Sequence, residues 1–364
     1  MAGGGDGKRR TRRSYRPTVE VMEALRLLSS ATPAAPMTGF AVEHNALGDP
    51  WAGPMPPVHD RLSLTSEIWD AALAQTHLAN LLLGRFAAAR EEMQLLIDMY
   101  DTSRDGPESG VSSRDPKVST CTLLGICLTI LGYPQSGAAK SRAGIEHAEA
   151  LNHPVSLNLA LRRACVEAML RRDVDAVAGF AARLAALRAE YETYKGIWEG
   201  TFFRDWAQLT RQSAPELFDR TQSFLNHLDA VKNWAFLPWY MASTAELSGR
   251  FGAPAAALLE RAAELADTTG ARWWEPEITR LQARICAPDR EAAVTLLETG
   301  LAQAREQGGK LWELRIAASL AELRRDGESR AAARDVLEPV CEWFSEGRNM
   351  PDYVAARALL AEIS

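Results

Sequence analysis

Apolar residues recur at three- and four-residue spacing from about residue 62 almost to the end of the chain, the period of amphipathic helices. Short breaks divide these stretches. They fall at Leu83-Gly84-Arg85-Phe86, Leu131-Gly132-Tyr133-Pro134, Arg171-Arg172-Asp173, Ser213-Ala214-Pro215, 248–254, Ala287-Pro288-Asp289 and Arg325-Asp326-Gly327. Taking the second helix of each pair to begin near 85, 134, 173, 215, 253, 289 and 328 gives steps of 49, 39, 42, 38, 36 and 39 residues. A step near 40 predicts stacked helical hairpins. The long first step absorbs a polar loop at 102–116. The expected fold is all-α: a right-handed α-solenoid of about seven hairpins over 62–364, closed by a helix at 351–362.

Upstream the pattern stops. Residues 31–59 hold Pro33, Pro36, Pro50, Pro54, Pro56 and Pro57, a density that excludes regular elements. Residues 17–28 could make one short helix. Lys8, Arg9, Arg10, Arg12, Arg13 and Arg16 stand against one acid, Asp6, among glycines. The expected organisation is an irregular extension at 1–61 and a repeat domain at 62–364. The basic arm at 8–16 is the one place where nucleic acid could be touched.

The breaks share local chemistry. Gly84 is followed five residues later by Ala89, Gly132 by Gly137 and Gly327 by Ala332; Gly249 needs one more residue to reach Ala255. In tetratricopeptide hairpins a left-handed residue ends the first helix, and a small residue further on lets the second helix lie close. The tetratricopeptide period is 34, so these hairpins are tetratricopeptide-like but longer.

Longer phrases carry a second likeness. They are Arg114-Asp115-Pro116, His153-Pro154 with Ser156, Trp198 with Gly200 and Trp206, and 270–277 (GARWWEPE). Further on come 311–320 (LWELRIAASL) and Trp343 to Gly347, leading to Pro351-Asp352. From about 114 to 364 the chain resembles the tetratricopeptide-like C-terminal region of bacterial multidomain signalling proteins. In those, a class III nucleotide cyclase or a winged-helix domain precedes a signal-transduction ATPase, and the repeats follow. The resemblance implies a sensing or docking region. Neither catalytic module is present in these residues.

Composition narrows the picture. Lys and Arg total 41 against 47 Asp and Glu, so the body has no charge-driven pull on nucleic acid. Cys121, Cys127, Cys165, Cys286 and Cys341 are widely spaced, as expected of reduced, buried thiols. The most apolar run, 121–131, is too short to span a bilayer. A cytoplasmic protein is expected.

Motifs for chemistry are missing. Gly308-Gly309-Lys310 resembles a phosphate loop only at its end: Ala304 stands where glycine is required, and Leu311 replaces the hydroxyl. It reads as a helix end followed by a new helix. His147 and His153 lie six apart, and His77 and His227 stand alone, so no metal site is expected. No Gly-x-Ser-x-Gly string occurs. Glu275 and Glu277 flank Pro276 at a helix start, where carboxylates favour the positive helix end. No catalytic residue, metal or cofactor is expected.

The tryptophans are the most informative residues. Trp198, Phe202 and Trp206 form a stripe at i, i+4, i+8, and Trp234, Trp239, Trp273 and Trp274 follow within the same third of the chain. All fall in stretches read as first helices, which line the concave surface of a solenoid. Two readings remain open: large residues that fill the seams between hairpins, or a groove formed by these residues with Glu275, Trp312 and Arg315. On the second reading the chain is a non-catalytic scaffold gripping a protein, a peptide or a small ligand in bacterial signalling. The alternatives are a regulatory tail of a cyclase or ATPase, and a transcription-linked adaptor using Arg9, Arg10, Arg12 and Arg13.

Overall fold

A computed structural model of the chain describes residues 77–102, 106, 114–190, 198–212, 214–230, 235–248, 255–285, 287, 289–325 and 329–364. The extension at 1–61, its basic arm, the short helix at 17–28 and Trp234 lie outside these residues, as do Gly249, Cys286 and Gly327. Among the described residues every regular element is helical.

Residues 77–82 are the described part of a first helix. Among the described residues the α-helices that follow are α1 (Phe86–Met99), α2 (Pro116–Ile130), α3 (Pro134–Ala150), α4 (Pro154–Leu170), α5 (Val174–Glu190), α6 (Trp198–Arg211), α7 (Pro215–Ala230), α8 (Leu237–Ser248), α9 (Ala255–Thr269), α10 (Glu275–Ile285), α11 (Arg290–Gln307), α12 (Lys310–Arg324), α13 (Arg330–Trp343) and α14 (Pro351–Ile363). A 3-10 turn, Arg272–Trp274, precedes α10. The odd-numbered helices up to α13 start within two residues of the positions expected from the breaks.

Local chemistry explains these starts. Asp115, His153 and Asp289 cap α2, α4 and α11 by accepting the backbone N–H of Val118, Ser156 and Ala292. Pro116, Pro134, Pro154 and Pro351 occupy the first turn, where a missing N–H leaves no bond unmade. Gly308 takes the left-handed conformation (φ 70°) between α11 and α12, so Gly308-Gly309-Lys310 is a helix end.

Consecutive helices pack in sequence order, which makes a solenoid of hairpins. The even-numbered helices form an inner layer in which α2 meets α4, α8 meets α10, α10 meets α12 and α12 meets α14. Inner helices are apolar around most of their circumference because neighbours cover them on several sides. Every residue of α8 is buried except Glu246. Outer helices bury one stripe, as α11 does through Ala293, Leu297, Gly300, Leu301 and Ala304.

The stack closes on itself. Helix α12 packs against α2. A Cβ built on Gly132 would lie 2.5 Å from the Trp343 ring, and one on Gly347 only 2.2 Å from Pro134. The Ser136 backbone N–H and hydroxyl donate to Glu346 at 2.8 and 2.9 Å. The second hairpin, α2–α3, and the last, α12–α13, are therefore neighbours.

Small residues set the tightest crossing. A Cβ on Gly137 of α3 would meet Thr129 Oγ1 at 2.2 Å and the Gly125 carbonyl oxygen at 2.6 Å. Ala89 and Ala255 play the expected small-residue role, both buried. In the last hairpin the role shifts: Ala332 is exposed and Ala333 is buried. Four described cysteines are free, buried thiols, and burial pushes Cys127 up to about 12. No helix among the described residues is long and apolar enough to cross a membrane.

Two alanine substitutions test this packing. Gly137→Ala should lose about 1–3 kcal/mol in urea unfolding, because the added methyl strikes backbone. Gly179→Ala, within α5 with no atom within 4 Å of its would-be Cβ, should gain about 0.5–1 kcal/mol from backbone entropy alone.

Candidate functional site

Helix α4 ends in an unusual turn. Arg172 sits at φ 57°, a left-handed position that costs a side-chain-bearing residue about 1–2 kcal/mol. Gly84, Gly132 and Gly308 hold left-handed positions at other breaks. Here the side chain supplies what the backbone loses. Arg172 Nε donates to Asp352 at 2.6 Å, and its Nη2 donates to Glu246 at 2.8 Å.

From Arg172 an ionic network runs inward. Arg280 donates to Glu277 through Nε and Nη2, both at 2.8 Å, and reaches Glu246 at 3.2 Å. Arg315 donates through Nη1 to Glu277 at 3.1 Å, through Nε to Asp352 at 2.8 Å, and through Nη2 to the Leu170 carbonyl at 2.7 Å. Three guanidinium groups thus face three carboxylates from α4, α8, α10, α12 and α14. The network grades outward in exposure. Glu277, Arg280 and Arg315 are 1–5% exposed at the side chain, whereas Arg172 and Glu246 are 28% and 27% exposed. Alongside, Arg171 is paired to Glu167 and Asp173.

Burial alone would raise the pKa of each network carboxyl. The arginines outweigh it. Arg280 and Arg315 hold Glu277 below the ordinary range, Arg172 and Arg280 do so for Glu246, and Arg315 and Arg172 for Asp352. Glu275, half-buried at the start of α10, moves the other way: burial raises it more than Arg272 lowers it.

Aromatic rings pack against this network. Trp312 lies 4.5 Å from Trp274, centroid to centroid, and Trp274 lies 5.3 Å from Trp273 and 6.0 Å from Trp239. Trp239 continues to Tyr240 at 4.6 Å, and Tyr240 to Phe202 at 4.7 Å. The Arg315 guanidinium stands 5.4 Å over the Trp312 ring. Trp206, Trp239, Trp274, Met169, Ser243, Arg172, Glu246 and Arg315 line a small, partly open cavity of about 20 Å³, room for one water molecule. The indole N–H groups of Trp239, Trp273, Trp274 and Trp312 are buried without a hydrogen-bond partner among the described residues.

The structure brings most of the residues singled out from the sequence together, but not along an open groove. Phe202, Trp206, Trp239, Trp273, Trp274, Trp312 and Arg315 are all buried. The inner helices close over them where hairpin α12–α13 meets hairpin α2–α3. Trp273 and Trp274 belong to the 3-10 turn rather than to a first helix, which lets adjacent indoles both point inward. Trp198 opens α6, and its side chain lies outside the described residues. Glu277 lies in the first turn of α10, as expected, and also joins the network. Glu313 pairs with Lys310 and Arg305.

Glu246 and Arg280 were not singled out, and Arg172 and Asp352 entered only as parts of a helix break and of the terminal phrase. Their signal was a charge embedded in an apolar run, as Glu246 is within 237–248 (LPWYMASTAELS).

Arg315→Met should cost about 3–5 kcal/mol by urea denaturation, because Glu277 and Asp352 would stay buried without their partner. The pH dependence follows from the depressed carboxyls. Glu246, Glu277 and Asp352 bind protons more weakly folded than unfolded, so their stabilisation is present above the unfolded pKa of about 4. Melting temperature should hold near neutral pH and fall steadily below about pH 5. Glu277→Gln should flatten that decline.

No family model matches this chain, and no curated protein matches it.

Proposed function

We propose that this chain is a non-catalytic helical-repeat scaffold whose tryptophan-lined centre recognises a protein partner or a small ligand in bacterial signalling. The observation that carries the reading is the set of unpartnered indole N–H groups beside a polar cavity. Buried donors are ordinarily paired, and an unpaired one costs about 1–3 kcal/mol. Trp239 and Trp274 both line the cavity with Arg172, Arg315, Glu246 and Ser243. A group bearing hydrogen-bond acceptors would satisfy the indoles, and the arginines would orient it. The cavity as it stands has room for a water-sized group, so a larger one would enter when hairpins α2–α3 and α12–α13 part.

That closure favours one second reading, a regulatory tail whose opening is coupled to a catalytic module elsewhere. On this reading an effector chooses between the joined form and one whose contact between α2–α3 and α12–α13 has parted.

Trp239→Phe and Trp274→Phe test the scaffold reading, since each removes the N–H and keeps an aromatic ring. Affinity capture from the native cells should return a partner with the parent chain and lose it with these variants at little change in melting temperature. Variants that only melt earlier and capture the same set overturn it. An immunoblot of those cells separates the two readings: a band near 39.9 kDa supports the free scaffold, and a much heavier band the tail.

A further inference from the structure

A second positive feature lies away from the tryptophan centre, where α2 and α4 meet. Arg163 of α4 is half-buried and fixed by one corner. Its Nη1 donates to the Ser119 carbonyl at 3.0 Å and to the Ser119 hydroxyl at 2.8 Å. Those are its hydrogen bonds, and among the described residues no carboxylate pairs with it. The Nε–Nη2 edge of the guanidinium has no hydrogen-bond partner among the described residues.

The carboxylates on adjoining turns are committed elsewhere. Asp115 accepts from the Tyr100 hydroxyl at 2.5 Å and from the Val118 N–H at 2.8 Å, and Glu199 accepts from Arg162 at 2.6 Å. Burial of Arg163, together with Arg114 and Arg162 nearby, acts against its charge. Each other partly buried arginine of the inner layer meets an acid: Arg162, Arg171, Arg172, Arg280 and Arg315 all do. A guanidinium held by its own chain on one edge and empty on the other is preorganised for a group with two coplanar oxygens.

We infer that the Nε–Nη2 edge of Arg163, anchored through Ser119, is a binding site for an oxyanion, a carboxylate or a phosphate group carried by a ligand. The charge balance supports it. An incoming anion supplies the counter-charge that the fold withholds, and Arg114 and Arg162 add to the attraction. The Ser119 clamp removes rotamer freedom in advance, so less is lost on binding. The site stands independently of the tryptophan centre, which lies among different residues.

The test is side-chain nitrogen NMR on the whole chain, with inorganic phosphate and acetate titrated separately against chloride at matched ionic strength. The Arg163 Nε–H signal, assigned by its loss in Arg163→Lys, should shift saturably with at least one oxyanion and not with chloride. Phosphate alone identifies a phosphate site, and acetate alone a carboxylate site. Arg163→Lys keeps the charge but loses the fork, and should weaken binding about tenfold. Ser119→Ala frees the anchored corner and should weaken it less. Shifts that follow ionic strength alone, or unchanged affinity in Arg163→Lys, overturn the proposal. Should Arg163→Lys fail to fold, melting temperature decides: phosphate or acetate must raise it in the parent chain above the chloride control, and no rise overturns the site.

Discussion

The ionic network around Arg315 is the interaction on which the closed form depends. One guanidinium joins the end of α4, the start of α10 and the start of α14, across separations of up to 145 residues. Burying charge is expensive, and such a network is tolerable only when every member is satisfied. Here three cations face three anions. The net contribution to stability need not be large, since well-packed apolar residues can do as well. What the network adds is selectivity: a ring closed in a different register would leave a buried charge without its partner.

The backbone strain at Arg172 belongs to the same account. Glycine or asparagine would adopt that turn more cheaply, as Asn152 does at the end of α3. Arginine is retained where its side chain reaches both Glu246 and Asp352. Strain held in place by surrounding structure is common where a protein must keep a specific arrangement. The aromatic chain from Trp312 to Phe202 then fills the space beside the charges. Offset and edge-on rings let large side chains interdigitate with few voids. The small remaining cavity lies where indole edges, a hydroxyl and charged groups converge, and packing alone leaves several donors unsatisfied.

Closure also alters what binding would require. An open solenoid presents its inner face to a partner directly. In this chain the inner face is covered, so recognition there is tied to the energetics of the contact between α2–α3 and α12–α13. Arg163 lies elsewhere, where α2 and α4 meet, so the site proposed there does not involve the contact between α2–α3 and α12–α13.

Helix boundaries were legible in the sequence because they are local. Proline at a first turn, aspartate or histidine as a cap and glycine after a last turn act within a few residues, so the hairpins and their starts could be read directly. The importance of the tryptophans was legible from their density alone. Their burial was not, because it depends on hairpin α12–α13 returning to α2–α3, and no local pattern encodes that contact. The pairing of Arg172 with Asp352, 180 residues apart, was hidden for the same reason. Sequence by itself determined an all-α chain of stacked hairpins with an aromatic-rich centre. Only the tertiary structure decided that the stack closes, that the centre is ionic as well as aromatic, and that Arg163 is left without an acid, because each of these is a relation between elements brought together by folding.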